Sequence, residues 1–194
     1  RDQELIGGLG EPRPIPAAKR PYIDVSVGLR AGYNRASVAG DAVDPSARST
    51  WHGGAYARIS AAGTWFLQLE GLYSDQGYRQ KSPNTPNGNQ VRYIIAPLLA
   101  GRTVTSSPTV RMYAGFYLGL AGSGQTILTD NADAQGVGLT VDVSPVDVGL
   151  AIGGATDLSG GFGLDVRYTV GIGDITEGTG SVHNRIFQIS VTKE

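Results

Sequence analysis

The chain has no cysteine, two histidines and three lysines, Lys19, Lys81 and Lys193. Without cysteine there is no disulfide framework, thiolate metal site or lipid-modified thiol. Two histidines leave little material for a metal centre or an imidazole base. Charged residues make up 17% of the chain, against the roughly 25% of an ordinary soluble domain. The net charge of −1 points away from nucleic acid and from a polybasic membrane surface. No apolar run approaches the about 18 residues of a transmembrane helix. A transmembrane barrel stays open, because its strands alternate and so hide from hydropathy averages.

What is present is glycine, 29 of 194 residues, and a period of two. Residues 162–175 show it most clearly. Phe162, Leu164, Val166, Tyr168, Val170 and Ile172 alternate with Gly163, Asp165, Arg167, Thr169, Gly171 and Gly173. One face is apolar and the other carries an acid, a base and glycines, which is a β-strand pattern. Similar alternation predicts strands at about 22–34, 51–61, 65–77, 90–103, 109–122, 143–156 and 185–192. In the fourth, Ile95, Pro97 and Leu99 make the second face apolar too, and a bulge is expected near Pro97.

The connections between these strands alternate in length. Long ones are expected at 35–50, 81–89, 124–142 and 176–184, and short ones at 62–63, 105–108 and 157–161. An up-and-down meander places alternate connections at opposite ends, so one end collects the long loops and the other the tight turns and both chain ends. The predicted fold is all-β: an eight-stranded antiparallel up-and-down transmembrane β-barrel over residues 22–194. Residues 1–21 hold Pro12, Pro14, Pro16 and Pro21 and read as a Pro-rich, extended periplasmic tail.

The polar faces of the predicted strands carry Asp24, Glu70, Asp147 and Asp165 and the bases Arg30, Arg58, Arg111 and Arg167. A soluble barrel would point its apolar set inward and spread Lys and Glu outside. Balanced, lysine-free charges beside many glycines suit a narrow interior, since eight strands leave room only for side chains. Buried charges persist only when paired, so these eight residues are the expected lumen network. Tyr33, Trp51, Trp65, Tyr73, Phe162 and Phe187 fall near strand ends on the apolar faces, where membrane-interface aromatics belong.

The ordered set GLRAGYN (28–34), FLQLEGLYSDQGYR (66–79), VRYIIAPLLAG (91–101), YAGFYLGLAGSG (113–124), VDVGLAIGGA (146–155), LDVRYTVGIGDI (164–175) and NRIFQISV (184–191) resembles the outer-membrane β-barrel domain family of Bacteroidota, the porin-family and PorT-like proteins. The resemblance implies an eight-stranded barrel with periplasmic termini and extracellular long loops, and no single function. Ile95 stands where that family usually has a carboxylate, and the last strand ends in Val-Thr-Lys-Glu, leaving Phe187 as its aromatic.

No nucleophile–histidine–acid set, phosphate loop or zinc motif is present. His52 and His183 read as rim residues, and Asp130, Asn131 and Asp133 lack the spaced ligands of a calcium loop. A dyad of Asp165 and Arg167 with Glu70 and Arg111 is explained as well by neutral barrel filling. The expected function is a non-enzymatic outer-membrane barrel without cofactor or metal. It would sit in outer-membrane lipid as a structural or accessory subunit of a secretion or nutrient-uptake assembly, meeting other envelope proteins through the N-terminal tail or the barrel wall. The alternatives are a small passive pore and a soluble lipocalin-like ligand-binding barrel.

Overall fold

The computed structural model describes residues 22–39, 45–61, 64–80, 87–122, 126–129, 146–173 and 183–194. The predicted tail, residues 1–21, and Asp130, Asn131 and Asp133 lie outside them. The strands are β1 (Ile23–Ala39), β2 (Pro45–Ala61), β3 (Trp65–Gln80), β4 (Asn87–Ser106), β5 (Thr109–Ala121), β6 (Thr126–Thr129), β7 (Val146–Asp157), β8 (Phe162–Gly171) and β9 (His183–Lys193). Eight of them close a ring of antiparallel neighbours, β1-β2-β3-β4-β5-β7-β8-β9 and back to β1. The short β6 pairs with the first residues of β4, Asn87 to Gln90.

Alternation decides which face meets which medium. Along β8 the residues run exposed, buried, exposed, buried from Phe162 to Thr169. The exposed set is Phe162, Leu164, Val166 and Tyr168, and the buried set is Gly163, Asp165, Arg167 and Thr169. β5 and β7 repeat the pattern. The wall is therefore apolar outside and polar within, the inverse of a soluble barrel. Trp65 and Tyr73 lie eight positions apart on β3. At about 3.4 Å per residue and a tilt near 40°, they span roughly 20 Å of height, close to the ~25 Å apolar band of an outer-membrane barrel.

Two expectations are corrected. The polar run 35–50 is mostly strand: Asn34 pairs with Thr50, Arg35 with Ser49 and Ala36 with Arg48, leaving only 40–44 between β1 and β2. Backbone pairing needs no alternation, so strands continue past the apolar band. The bulge expected near Pro97 is absent. Pairing of β3 with β4 lapses opposite Glu70 and Gly71, then resumes in the same register at Leu72 and Ile95. Proline removes one donor there without adding a residue. The register shifts fall elsewhere, between Ala47 and His52 on β2 and between Thr103 and Thr105 on β4.

The glycine surplus has a packing reason. Inner aromatics lie over the glycine opposite them: Tyr56 pairs with Gly28, Phe66 with Gly101, Tyr113 with Gly153 and Tyr117 with Gly149. A Cβ at Gly153 would stand 2.5 Å from Tyr113 Oη, and one at Gly149 2.4 Å from the Tyr117 ring. A narrow lumen admits a large ring only where its cross-strand neighbour has no side chain. The β7–β8 turn uses glycine differently: Gly160 and Gly161 hold φ of 71° and 74°, a region costly for other residues.

Leu69 lies midway between Trp65 and Tyr73 on the outer wall and is 57% exposed. Leu69→Arg is expected to destabilise the barrel in lipid vesicles by about 2–4 kcal/mol, the cost of a midplane cation. Urea unfolding in bilayers measures it, and a near-neutral result would mean that water bathes this face.

Candidate functional site

The lumen is built from inward positions on facing strands. At its centre Arg167 of β8 grips Glu70 of β3 as a fork, with Nη1 donating to Oε2 at 2.8 Å and Nη2 to Oε1 at 2.6 Å. Arg30 of β1 donates through Nη2 to Asp165 Oδ1 at 2.5 Å and approaches Glu70 Oε1 at 3.5 Å. Tyr113 of β5 joins the two pairs: its hydroxyl donates to Asp165 Oδ2 at 2.7 Å and accepts from Arg167 Nε at 3.1 Å. The Arg167 guanidinium also lies 5.1 Å from the Tyr113 ring centroid. Gln68 Nε2 donates to Glu70 Oε1 at 2.5 Å. The side chains of Arg30 and Glu70 are fully buried and that of Arg167 is 1% exposed. Two acids and two bases cancel, and each head group is hydrogen-bonded, the condition under which buried charge persists.

Further tiers lie on either side. Toward the long connections, His52 sits inside the barrel: Asn34 Oδ1 is 2.6 Å from Nδ1 and Ser190 Oγ is 2.8 Å from Nε2. Gln188 Nε2 donates to Asn34 Oδ1 at 2.9 Å and Asn34 Nδ2 to Ser74 Oγ at 3.1 Å. Beyond them, Asp147 accepts from Tyr117 Oη at 3.2 Å and Asn184 Nδ2 at 3.0 Å. Toward the short turns, Arg58 donates to Gln68 at 2.8 Å and to Glu194 at 2.6 Å, and Arg111 pairs with Asp157.

Of the eight charges expected inside, seven are buried, and Arg30, Glu70, Asp165 and Arg167 meet in one network. Arg58 and Arg111 serve the short-turn end, and Asp147 stands apart with neutral donors. Asp24, expected in the lumen, is exposed. β1 pairs with β9 only from Leu29 onward, so Asp24 lies on an overhang past the end of the closing strand. Arg111 is likewise separate from the Asp165–Arg167–Glu70 group. His52, read as a rim residue, is 1% exposed, whereas His183 lies at the far end of β9 beside Gly173. The inner chain Asn34, His52, Gln188 and Ser190 was missed, although inward parity alone marked each of its members.

The lumen also has an apolar part, from the all-apolar run of β4. Leu72, Tyr93, Ile95 and Tyr117 pack together, as do Phe66, Leu99, Tyr113 and Ala151. The cavity lined by Leu72, Ile95, Pro97, Ala151 and Arg167 measures about 10 Å³, room for about one water molecule. On the outer wall the six predicted interface aromatics are all exposed. Trp65 and Phe162 lie at the short-turn end, and Tyr33, Trp51, Tyr73 and Phe187 toward the long connections. Trp51 and Tyr73 stack with centroids 5.2 Å apart.

An apolar wall around a charged, filled interior defines a transmembrane β-barrel. The chain belongs to the outer membrane protein beta-barrel domain family, whose model matches residues 13–177; it is a protein of the outer membrane and its lipid. Among solved structures it is similar to Neisserial surface protein A, with 16% identity, TM-score 0.55, and 88% of this chain and 98% of that one covered. It is also similar to OprG of Pseudomonas aeruginosa, with 13% identity, TM-score 0.54, and 86% and 94% covered. The third is Ail of Yersinia pestis, solved with the heparin analogue sucrose octasulfate, with 11% identity, TM-score 0.51, and 86% and 96% covered. At these identities the likeness is one of fold. No curated protein sequence matches the chain.

Removing one member of the central fork strands its partner. Arg167→Gln is expected to lower stability by about 3–5 kcal/mol. The double variant Arg167→Gln/Glu70→Gln should recover part of that loss, as read by urea unfolding in lipid vesicles.

Proposed function

We propose that this protein is a non-conducting, non-enzymatic barrel that works through its wall and loops as a structural or accessory subunit of an envelope assembly. The observation that carries this reading is the filled lumen: the Arg30–Asp165 and Arg167–Glu70 pairs cross it with side chains 0–4% exposed. A pore needs a continuous aqueous path, and here the central charges are buried and paired with one another across the lumen. A catalytic reading needs an acid or nucleophile that substrate can reach, and the central acids are sealed. With the interior given over to stability, the outer wall, the long connections and the Pro-rich tail remain for partners. The long connections are taken as extracellular and the termini as periplasmic. The narrower likeness to the Bacteroidota and PorT-like barrels rests on the ordered motifs.

In planar bilayers the purified protein should show no steady conductance. Replacing Arg30, Glu70, Asp165 and Arg167 together by serine should create resolvable openings. Steady current through the unaltered protein would make it a pore instead. Mild-detergent purification from membranes should yield a stoichiometric protein partner, and a barrel that elutes alone would remove the assembly role.

A further inference from the structure

Two arginines face outward across the seam that closes the barrel. Arg35 on β1 and Arg185 on β9 are both exposed. In the β1–β9 register Arg35 lies opposite Phe187, and Arg185 opposite Ser37. The two positions are therefore diagonal neighbours on one face, roughly 7–8 Å apart. Each stands two positions beyond a wall aromatic on its own strand, toward the long connections: Arg35 beyond Tyr33, and Arg185 beyond Phe187. At about 3.4 Å per residue and a tilt near 40°, each charge sits roughly 5 Å beyond the aromatic of its own strand, at the level where hydrocarbon gives way to headgroups. Serines flank them, Ser49 opposite Arg35 and Ser37 opposite Arg185, but Ser37 Oγ donates to the Arg185 carbonyl and Ser49 Oγ is hydrogen-bonded to Tyr33 Oη, so the guanidinium groups are the donors on offer.

The charge pattern of the wall singles out this pair. Among the described residues the exposed acids are Asp24, Asp157 and Glu194, all at the short-turn end. At that same end Arg102 lies over the Trp65 ring at 5.6 Å and Lys193 over Phe162 at 4.7 Å. Arg92, exposed at the long-connection end, lies opposite the buried Asp75. Arg35 and Arg185 have no exposed acid at their end of the described wall. Below them runs an apolar surface of Tyr33, Ile189, Val191 and Leu29, each 41–65% exposed, suited to acyl chains.

We propose that Arg35 and Arg185 clamp the phosphate of an anionic glycolipid in the leaflet at the long-connection end, whose acyl chains lie on the wall below. The proposal goes beyond the structural role above, and it rests on the wall lying in lipid with the long connections outside. A lipid fits better than a soluble polyanion because the arginines point sideways from the wall, at headgroup level. Arginine also suits the planar, bidentate recognition of phosphate. A lipid held across the β1–β9 seam would brace the pairing that closes the barrel.

The test uses the purified barrel in uncharged detergent, titrated with diphosphoryl lipid A and with its dephosphorylated form. Native mass spectrometry reads binding, and the temperature at which the folded gel band disappears reads bracing. The phosphorylated lipid should bind more tightly and raise that temperature. Arg35→Gln and Arg185→Gln should each weaken its binding roughly fivefold, and the double variant about 30-fold. Arg102→Gln should change nothing, and an unaltered melting temperature in detergent alone shows that the double variant folds. Equal binding of the two lipids, full binding by the double variant, or an equal loss in Arg102→Gln would each overturn the proposal. So would binding of sucrose octasulfate in place of the lipid. A barrel that conducts but keeps this lipid preference would overturn the sealed-lumen reading alone, so the two proposals fail separately.

Discussion

The fork between Arg167 and Glu70 is the contact on which the rest of the barrel turns. A chain whose outer face meets hydrocarbon must place its polar side chains inside, because an exposed charge at membrane depth is costly. Inside an eight-stranded ring there is no room for a hydrated ion, so every charge must find a protein partner. Arg167 on β8 and Glu70 on β3, with Arg30 on β1 and Asp165 beside Arg167, meet this condition across the width of the lumen. The central pairs thus close the interior and tie distant strands together at once.

The same lack of space accounts for the composition. Rings of Tyr56, Phe66, Tyr113 and Tyr117 fit the lumen because glycine stands opposite each of them. Tyr113 then supplies the hydroxyl that joins the two ion pairs. From the apolar inner run of β4, Ile95 packs against Tyr117 and Leu99 against Phe66 and Tyr113. Ile95 packs with Leu72, Tyr93 and Tyr117. Glycine abundance, aromatic placement and absence of lumen lysine are then one adaptation to a narrow interior.

With the lumen filled, the outer surface is where the two ends of the barrel differ. The wall is not symmetric end to end: its short-turn rim has aromatics capped by Arg102 and Lys193, while its other rim presents Arg35 and Arg185 past Tyr33 and Phe187. The neighbours in fold share the barrel at 11–16% identity, which is what common backbone geometry with divergent surfaces would produce.

Period-two alternation, evident in the sequence itself, determined the strand count, the up-and-down order and the division into lipid-facing and inward residues. It worked because each strand is long and its outer face is apolar between the two rims, so a slip by one residue would expose charge to hydrocarbon. Strand ends were not legible at 35–50, because hydrogen bonding between backbones continues where both faces are polar. Nor was the fate of Asp24, whose inward parity says nothing about how far the closing strand reaches. Only tertiary structure decided which charges meet. Strand registers and the shear of the ring set Arg30 beside Asp165, Arg167 on Glu70 and His52 among Asn34 and Ser190. Those contacts join residues up to 138 positions apart, and a one-dimensional period carries no information about which inward residues share a height in the barrel.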